Sequence, residues 1–336
     1  MVLTPRRIEI FKCLVDEFIA TAEPVGSITL VSKYNLPYSS ATIRNDMVIL
    51  EELGFIEKPY SSSGRVPSTK GYKFYCEHLL EKRVDNDSKN AITDILHNHS
   101  MNIEDAIKQS CDIVSQMTNL TTGILGPDSS SELLEHIKLF QIDDQNAVCV
   151  LITSNGHTES RNFQFRDDVS LKDIETCVDI LNNRLKGTKV SELYLKLEGL
   201  RPLLSQHVKR HELLFNAFAS AFVKFASENV YFASKNNIMY QPEFSDIEKL
   251  KKLMNILEDE MIWKNVRNNN LELAIKTHSG AEMAWFDDVA VVSNKVKIND
   301  NEEAQLMVVG PSRMEYDRIV GLLDFISDEI NKMYRR

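Results

Sequence analysis

The sequence predicts a multi-domain α+β protein with a helix-turn-helix head, and three observations carry that prediction. From the N-terminus to Gly54, apolar residues recur at helical spacing between cap, proline and glycine signals. From residue 136 the period changes to that of strands, and strand-like runs return after residue 270, with a long helical stretch between the two groups. At 336 residues the chain has room for about two or three domains. Its 43% apolar and 26% charged residues support ordinary cores.

Thr4 and Pro5 open the first helix as capping hydroxyl and N1 proline. Ile8, Phe11, Val15, Phe18 and Ile19 form its apolar stripe, which fades near Thr21. Glu23-Pro24-Val25-Gly26 breaks the chain, Ser27 caps a short second helix ending near Tyr34, and Asn35-Leu36-Pro37-Tyr38 makes a turn. Ser39 or Ser40 caps a third helix that stops at Gly54. Helix, short helix, tight turn and helix is the order of a helix-turn-helix. "FIEKPY" and "RVP" then flank "SSSG", so a two-stranded ribbon with a small polar tip follows. Pro59 confines its strand to an edge or bulge. Such a ribbon reads as a wing, and residues 1–82 form the head.

Residues 83–100 are polar and weakly patterned and read as a linker or exposed helix. "HIKLFQID", "AVCVLITS" and "TESRNFQF" are strands, the last two joined across Asn155-Gly156, where both residues tolerate positive φ. Helical patterns fill much of 170–230 and 246–265, and "LELAIKT", "DVAVVS" and "AQLMVVG" resume the strands. Tyr316, Ile319, Leu323, Ile326, Ile330 and Met333 stripe a closing helix. The expected body is one α+β domain built from 101–169 and 241–336, with a mainly helical insertion at 170–240.

The third helix of the head is the most informative element. With Ile43 at zero on a wheel of about 100° per residue, Met47 and Leu50 fall within about 40° and form the core stripe. The opposite face holds Ala41, Asn45, Val48 and Glu52, flanked by Thr42 and Arg44. Short residues, an amide and a guanidinium suit a helix entering the major groove, where Asn can bridge adenine, Arg can fork onto guanine, and Ala or Val can meet a thymine methyl. Ser39, Ser40 and the first-turn amides suit phosphates. In the ribbon, Ser61, Ser62, Ser63 and Gly64 would approach the backbone closely while Arg65 supplies charge. The plainer alternative is that the serines only cap and Arg44 pairs with an acid such as Glu51.

Charge agrees with a localised site. Residues 1–76 hold nine Lys and Arg against eight Asp and Glu, leaving 30 against 41 in the remainder of a chain of net charge −10. A protein that coats nucleic acid along its whole surface is thereby disfavoured. No signal-like stretch or run of about 18 apolar residues occurs, so a cytoplasmic location without membrane contact is expected. Five widely spaced cysteines lack a Cys-x-x-Cys pair and read as buried or incidental thiols. His97 with His99, and His207 with His211, have no further ligands nearby. Neither a Ser-His-Asp set nor a glycine-rich nucleotide loop is evident, so neither catalysis nor a cofactor is expected.

Three strings in the head, "LTPRRIEIFKCLVDEFIATAEPVGSITL", "SSATIRNDMVILEELGFI" and "PYSSSGRVPSTKGYKFY", resemble the N-terminal winged helix of the HrcA family of heat-inducible transcription repressors. "MYQPEFSDIEKLKKLMNILED" at 239–259 resembles the family's C-terminal part. The resemblance implies a winged helix, a GAF-like domain and an inserted dimerisation domain. It implies repression of chaperone operons through an inverted-repeat operator, with chaperonin keeping the repressor active. It also implies DNA contacts by Thr42, Arg44 and Asn45 on the helix and by Ser63, Gly64 and Arg65 in the wing. Tyr60 and Ile28 stand where the family tends to have His and Lys.

One winged head covers a half-site, so a homodimer on a two-fold operator is expected. Phe215, Phe218, Phe222 and Phe225 lie along one side of a helix in the inserted segment and are the expected dimer contact, although a core helix has the same pattern. Two other classes stay open: a ligand-gated metabolic regulator with a small-molecule site in the body, and an enzyme with an appended DNA-binding head. "SNGH" and "VVGPS" read as turns, and neither is a phosphate-binding loop.

Overall fold

The computed structural model describes residues 3–59, 64–97, 103–126, 132–143, 146–156, 158–164, 170–226, 230–267, 274–277, 280–286, 288–297 and 303–334. The chain forms two compact units, one from 1–126 with 230–336 and one from 127–229.

Local signals set the first elements. Helix α1 (Pro5–Thr21) starts where Thr4 accepts the Arg7 amide and ends at Ala22, whose φ of 58° reverses the chain. Helix α2 (Ser27–Tyr34) ends at left-handed Asn35, and its capping position falls on Gly26, not Ser27. Helix α3 (Ser40–Glu52) is capped by Ser39, which accepts from the Thr42 amide at 3.1 Å. It closes with paired bonds from Gly54 N–H to the Glu51 carbonyl and from Phe55 N–H to the Leu50 carbonyl, both 2.9 Å, with Gly54 at φ 77°. That is a Schellman ending, in which glycine carries the left-handed residue at little cost.

Strands β1 (Ile56–Glu57) and β2 (Val66–Pro67) pair antiparallel, Ile56 opposite Pro67. Ahead of β2, Arg65 pairs with Val25 of the α1–α2 connection, each amide donating to the other's carbonyl at 2.9 Å. Helix α4 (Thr69–His78) follows, capped by Ser68. Ile10, Phe11, Leu14, Leu30, Ile43 and Leu50 are fully buried beneath these elements.

Residues 83–97 of the stretch expected to be a linker or exposed helix are a packed part of the first unit. Asp85 caps helix α5 (Asn86–Leu96), which buries Ser88, Ile92 and Leu96 and lies against helix α6 (Ile103–Thr118) and the closing helix. Its apolar residues are few but spaced on one stripe, enough to bury one face of a helix that is otherwise polar.

The same unit holds one antiparallel sheet made of β3 (Thr121–Leu125), then β7, β8, β9, β10 and β11, in the order β7-β3-β11-β10-β9-β8. The bounds of the last five are Val230–Ala233, Ala274–Lys276, Glu282–Phe286, Val289–Lys297 and Glu303–Pro311. Alternation divides its faces. Ala290, Val292, Leu306 and Val308 meet the closing helix, α12 (Tyr316–Tyr334). Val289, Val291, Met307 and Val309 share the other face with Trp263, Leu253 and Leu257 of helices α10 (Ile247–Glu258) and α11 (Glu260–Arg267). The core of the head continues into the first of these faces, with the Tyr72 ring 5.8 Å from that of Tyr316.

The second unit differs from the expected insertion. It includes the three strands read as the start of the body's sheet, β4 (Leu134–Gln141), β5 (Asn146–Thr153) and β6 (Thr158–Gln164), which form a separate sheet. The hairpin across Asn155-Gly156 is present, with Gly156 at φ 88°. Strand period showed that these segments are strands, but nothing local chose their sheet. Helices α7 (Leu171–Leu185), α8 (Leu193–His207) and α9 (His211–Ala226) complete this unit.

The four phenylalanines expected at a dimer contact correct that expectation. Phe215, Phe218, Phe222 and Phe225 are at most 2% exposed and pack with Leu181, Leu193, Leu197 and Leu204 in their own unit's core. Each ring gains about 2–3 kcal/mol by this burial, which turning it outward toward a partner would forfeit.

Candidate nucleic-acid interface

Helix α3 presents the face that its wheel anticipates. Ala41, Arg44, Asn45 and Val48 are exposed, Val48 by 41%, while Ile43, Met47 and Leu50 are buried behind them. Ser39 is exposed, and Ser40 and Thr42 are half-buried. Ser39 and Thr42 share a hydroxyl bond of 2.9 Å, and Ser40 bonds Ser27 of α2 at 2.9 Å, tying the two helix starts together. Among the described residues, no hydrogen bond or ion pair engages the side chain of Arg44 or Asn45. The alternative pairing of Arg44 with Glu51 is therefore not made.

The buried side of α3 holds a charge that the apolar stripe did not reveal. Asp46, 2% exposed, accepts from Arg6 Nε at 2.7 Å and Arg7 Nε at 3.0 Å. Burial pushes its carboxyl upward, but the bonds and charges of the two arginines outweigh that and hold it below the usual carboxylate range. Arg6 in turn lies 5.7 Å over the Tyr38 ring, whose hydroxyl donates to Glu9. This clamp fixes the start of α1 against the middle of α3. Its signal in the sequence was an acid about 60° from Ile43 on the wheel, a place that requires a partner.

The ribbon residues fare differently from one another. Tyr60, Ser61, Ser62 and Ser63 lie outside the described residues. Gly64 is buried, and a Cβ there would stand 2.6 Å from the Pro24 carbonyl carbon and oxygen, so its smallness serves packing of the ribbon on the α1–α2 connection. Arg65 is 15% exposed and directs its guanidinium onto Glu51 of α3 at 2.8 Å. The sequence placed both at the DNA backbone; the structure packs both, just ahead of β2, against the α1–α2 connection and α3. Ile28 stands 74% exposed at the start of α2.

Elsewhere, the described residues include no group of three His, Cys, Asp or Glu able to hold a metal. All five cysteines are free. Burial pushes Cys149 and Cys177 up to about 12, which keeps them as thiols at neutral pH. In the body, Gln305 Nε2 donates to Ser293 Oγ at 2.7 Å and Glu282 Oε2 at 3.2 Å, and the adjoining cavity is no larger than one water. That size suits an internal water better than a metabolite. No helix among the described residues is long and apolar enough to cross a membrane.

An open helix face of amide, guanidinium and small side chains suits base edges, and the class of protein built around such a head is a transcription regulator. Similarity to known proteins narrows the class. The family described as HrcA protein C terminal domain matches residues 104–320. A heat-inducible transcription repressor HrcA from Listeria welshimeri is 36% identical over 340 residues, covering 99% of each chain. Another from Shouchella clausii is 36% identical over 334 residues, covering 98% of each. The chain belongs to the heat-inducible transcription repressor HrcA family. A crystal structure of a hypothetical protein, 20% identical with 99% of both chains covered, has a TM-score of 0.58 and shares the fold.

Proposed function

We propose that the chain represses heat-shock chaperone operons as a homodimer on an inverted-repeat operator. In this reading the head is a winged helix. Its α3 enters the major groove, with Thr42, Arg44, Asn45 and Val48 at base edges and Ser39, Ser40 and the neighbouring amides at phosphates. The observation that carries the reading is the exposed, unengaged Arg44–Asn45 pair on a helix whose opposite face is locked into a core. The remainder of the first unit is a GAF-like body, and chaperonin sustains the active repressor. Dimer contact then falls on surface other than the buried phenylalanines; Tyr194 and Leu195 of α8, 44% and 74% exposed, offer it. Sedimentation of Leu195→Asp tests that contact, and a variant that stays dimeric would remove it.

The test of the reading is binding of wild type and Arg44→Ala to the inverted repeat and to scrambled DNA over a salt series. Arg44→Ala should cost about 1–3 kcal/mol on the repeat and little on scrambled DNA. Equal binding of wild type to both DNAs, with a steep salt slope, would reduce the interaction to backbone contact.

A further inference from the structure

We propose that Arg65 is a positioning residue that sets the ribbon against the recognition helix through Glu51, rather than a phosphate contact. The proposal rests on the DNA-reading role of the head given above.

Four observations place it there. The guanidinium meets Glu51 Oε2 through both Nε and Nη2 at 2.8 Å, and Nη1 donates to the Gly64 carbonyl at 3.3 Å. The Arg65 side chain is 15% exposed. Its backbone is held by the paired amide bonds to Val25, so the residue sits in a three-way junction of ribbon, α1–α2 connection and α3. The preceding Gly64 packs so closely on Pro24 that a Cβ there would meet the Pro24 carbonyl at 2.6 Å.

Glu51 lies seven residues after Arg44, about 20° away on the helix wheel and about 10 Å further along the axis. The pair thus joins the ribbon to the same flank of α3 that carries Arg44. Two nitrogens of a planar guanidinium converging on one carboxylate oxygen constrain direction as well as distance, which the single ammonium of a lysine does not. Because Glu51 offsets its charge, Arg65 adds little net attraction for phosphate.

The two roles predict opposite signs for one substitution. Were Arg65 a phosphate contact restrained by Glu51, Glu51→Gln would release a positive charge and tighten binding to all DNA. As a positioning pair, Glu51→Gln should weaken operator binding about tenfold, in line with losing a charged hydrogen bond, and leave scrambled DNA nearly unaffected. Arg65→Ala should do the same, the double variant should be no worse than either single, and Arg65→Lys should not restore binding. The salt slope should stay at the wild-type value, whereas loss of a phosphate contact lowers it by about 1.

Limited trypsinolysis at the Arg65–Val66 bond adds a readout that needs no DNA, with faster cleavage expected in Glu51→Gln than in wild type. Tighter binding by Glu51→Gln, a reduced slope in Arg65→Ala, or unchanged cleavage would each overturn the proposal. If wild type fails to prefer the operator, the reading of the head falls, and the cleavage rate alone then decides the clamp.

Discussion

Asp46 shows how one residue can hold a reading surface in place without touching what is read. A buried carboxylate costs several kcal/mol to desolvate unless it is paired, and removing its partners leaves that cost uncompensated. Arg6 and Arg7 meet it from the first turn of α1. Because both arginines are partly solvated, we expect Asp46→Asn to destabilise the protein by about 2 kcal/mol at neutral pH rather than the full cost of a buried pair. The folded carboxyl lies below its usual range, so its contribution is present above the unfolded pKa of about 3.9 and lost as pH falls through the folded value. Urea unfolding from pH 7 down to about 3 checks this: the gap between wild type and variant should be constant above about pH 5 and narrow toward the acid end. The wheel position of Asp46, about 60° from Ile43, carries a signal of its inward placement that the apolar stripe alone does not show. Its partners were not legible, because about 40 residues separate them in the chain and no local rule joins Arg6 to Asp46.

Among the elements, helix ends and turns were the most legible, since their chemistry is local. Thr4, Ser39, Gly54 and Asn155-Gly156 each act where the sequence put them. The role of a glycine that packs is harder to read. Gly71, in the first turn of α4, would place a Cβ 2.1 Å from the Phe55 carbonyl oxygen, an atom that already accepts from the Ser68 amide. Neither can shift without parting α4 from the ribbon. Gly71→Ala should therefore cost about 3 kcal/mol or more. Gly54→Ala, with its nearest neighbour 3.8 Å away and only a left-handed φ to satisfy, should cost about 1 kcal/mol. Urea midpoints of the two variants separate steric contact from backbone strain, and equal losses would refute the distinction. Helix α9 marks the opposite limit of legibility. Its aromatic spacing predicted a buried face, but the same rings would fit a partner or the chain's own core, and only tertiary packing chose the core.

At the scale of the whole molecule, the acidic excess and the near-neutral head were visible in composition, while the fusion of that head with the sheet's core was not. Near this junction two carboxylates behave oppositely to Asp46. Asp16 of α1 accepts from Tyr75 Oη at 2.7 Å, and Asp317 of α12 accepts from the Glu81 amide at 3.0 Å. Burial raises both above the usual carboxylate range, each hydrogen bond opposing it. Lys12, Arg83 and Glu81 surround them, Lys12 and Arg83 favouring the charged forms. A raised folded value means the folded state binds more protons than the unfolded one, so these groups cost stability at neutral pH and cost less as pH falls toward their folded values. Asp46 and its arginines fail only below the usual carboxylate range, so of these three carboxylates Asp16 and Asp317 favour mild acid while Asp46 does not yet oppose it. Asp16→Asn retains an oxygen to accept from Tyr75 and removes the buried charge. Its Tm at pH 7.5 should equal or exceed that of wild type, and any gain as pH is lowered stepwise into the acid range should be smaller than in wild type. A fall of several degrees at pH 7.5 would instead mean that attraction to Lys12 and Arg83 outweighs burial, and the assigned sign would be wrong.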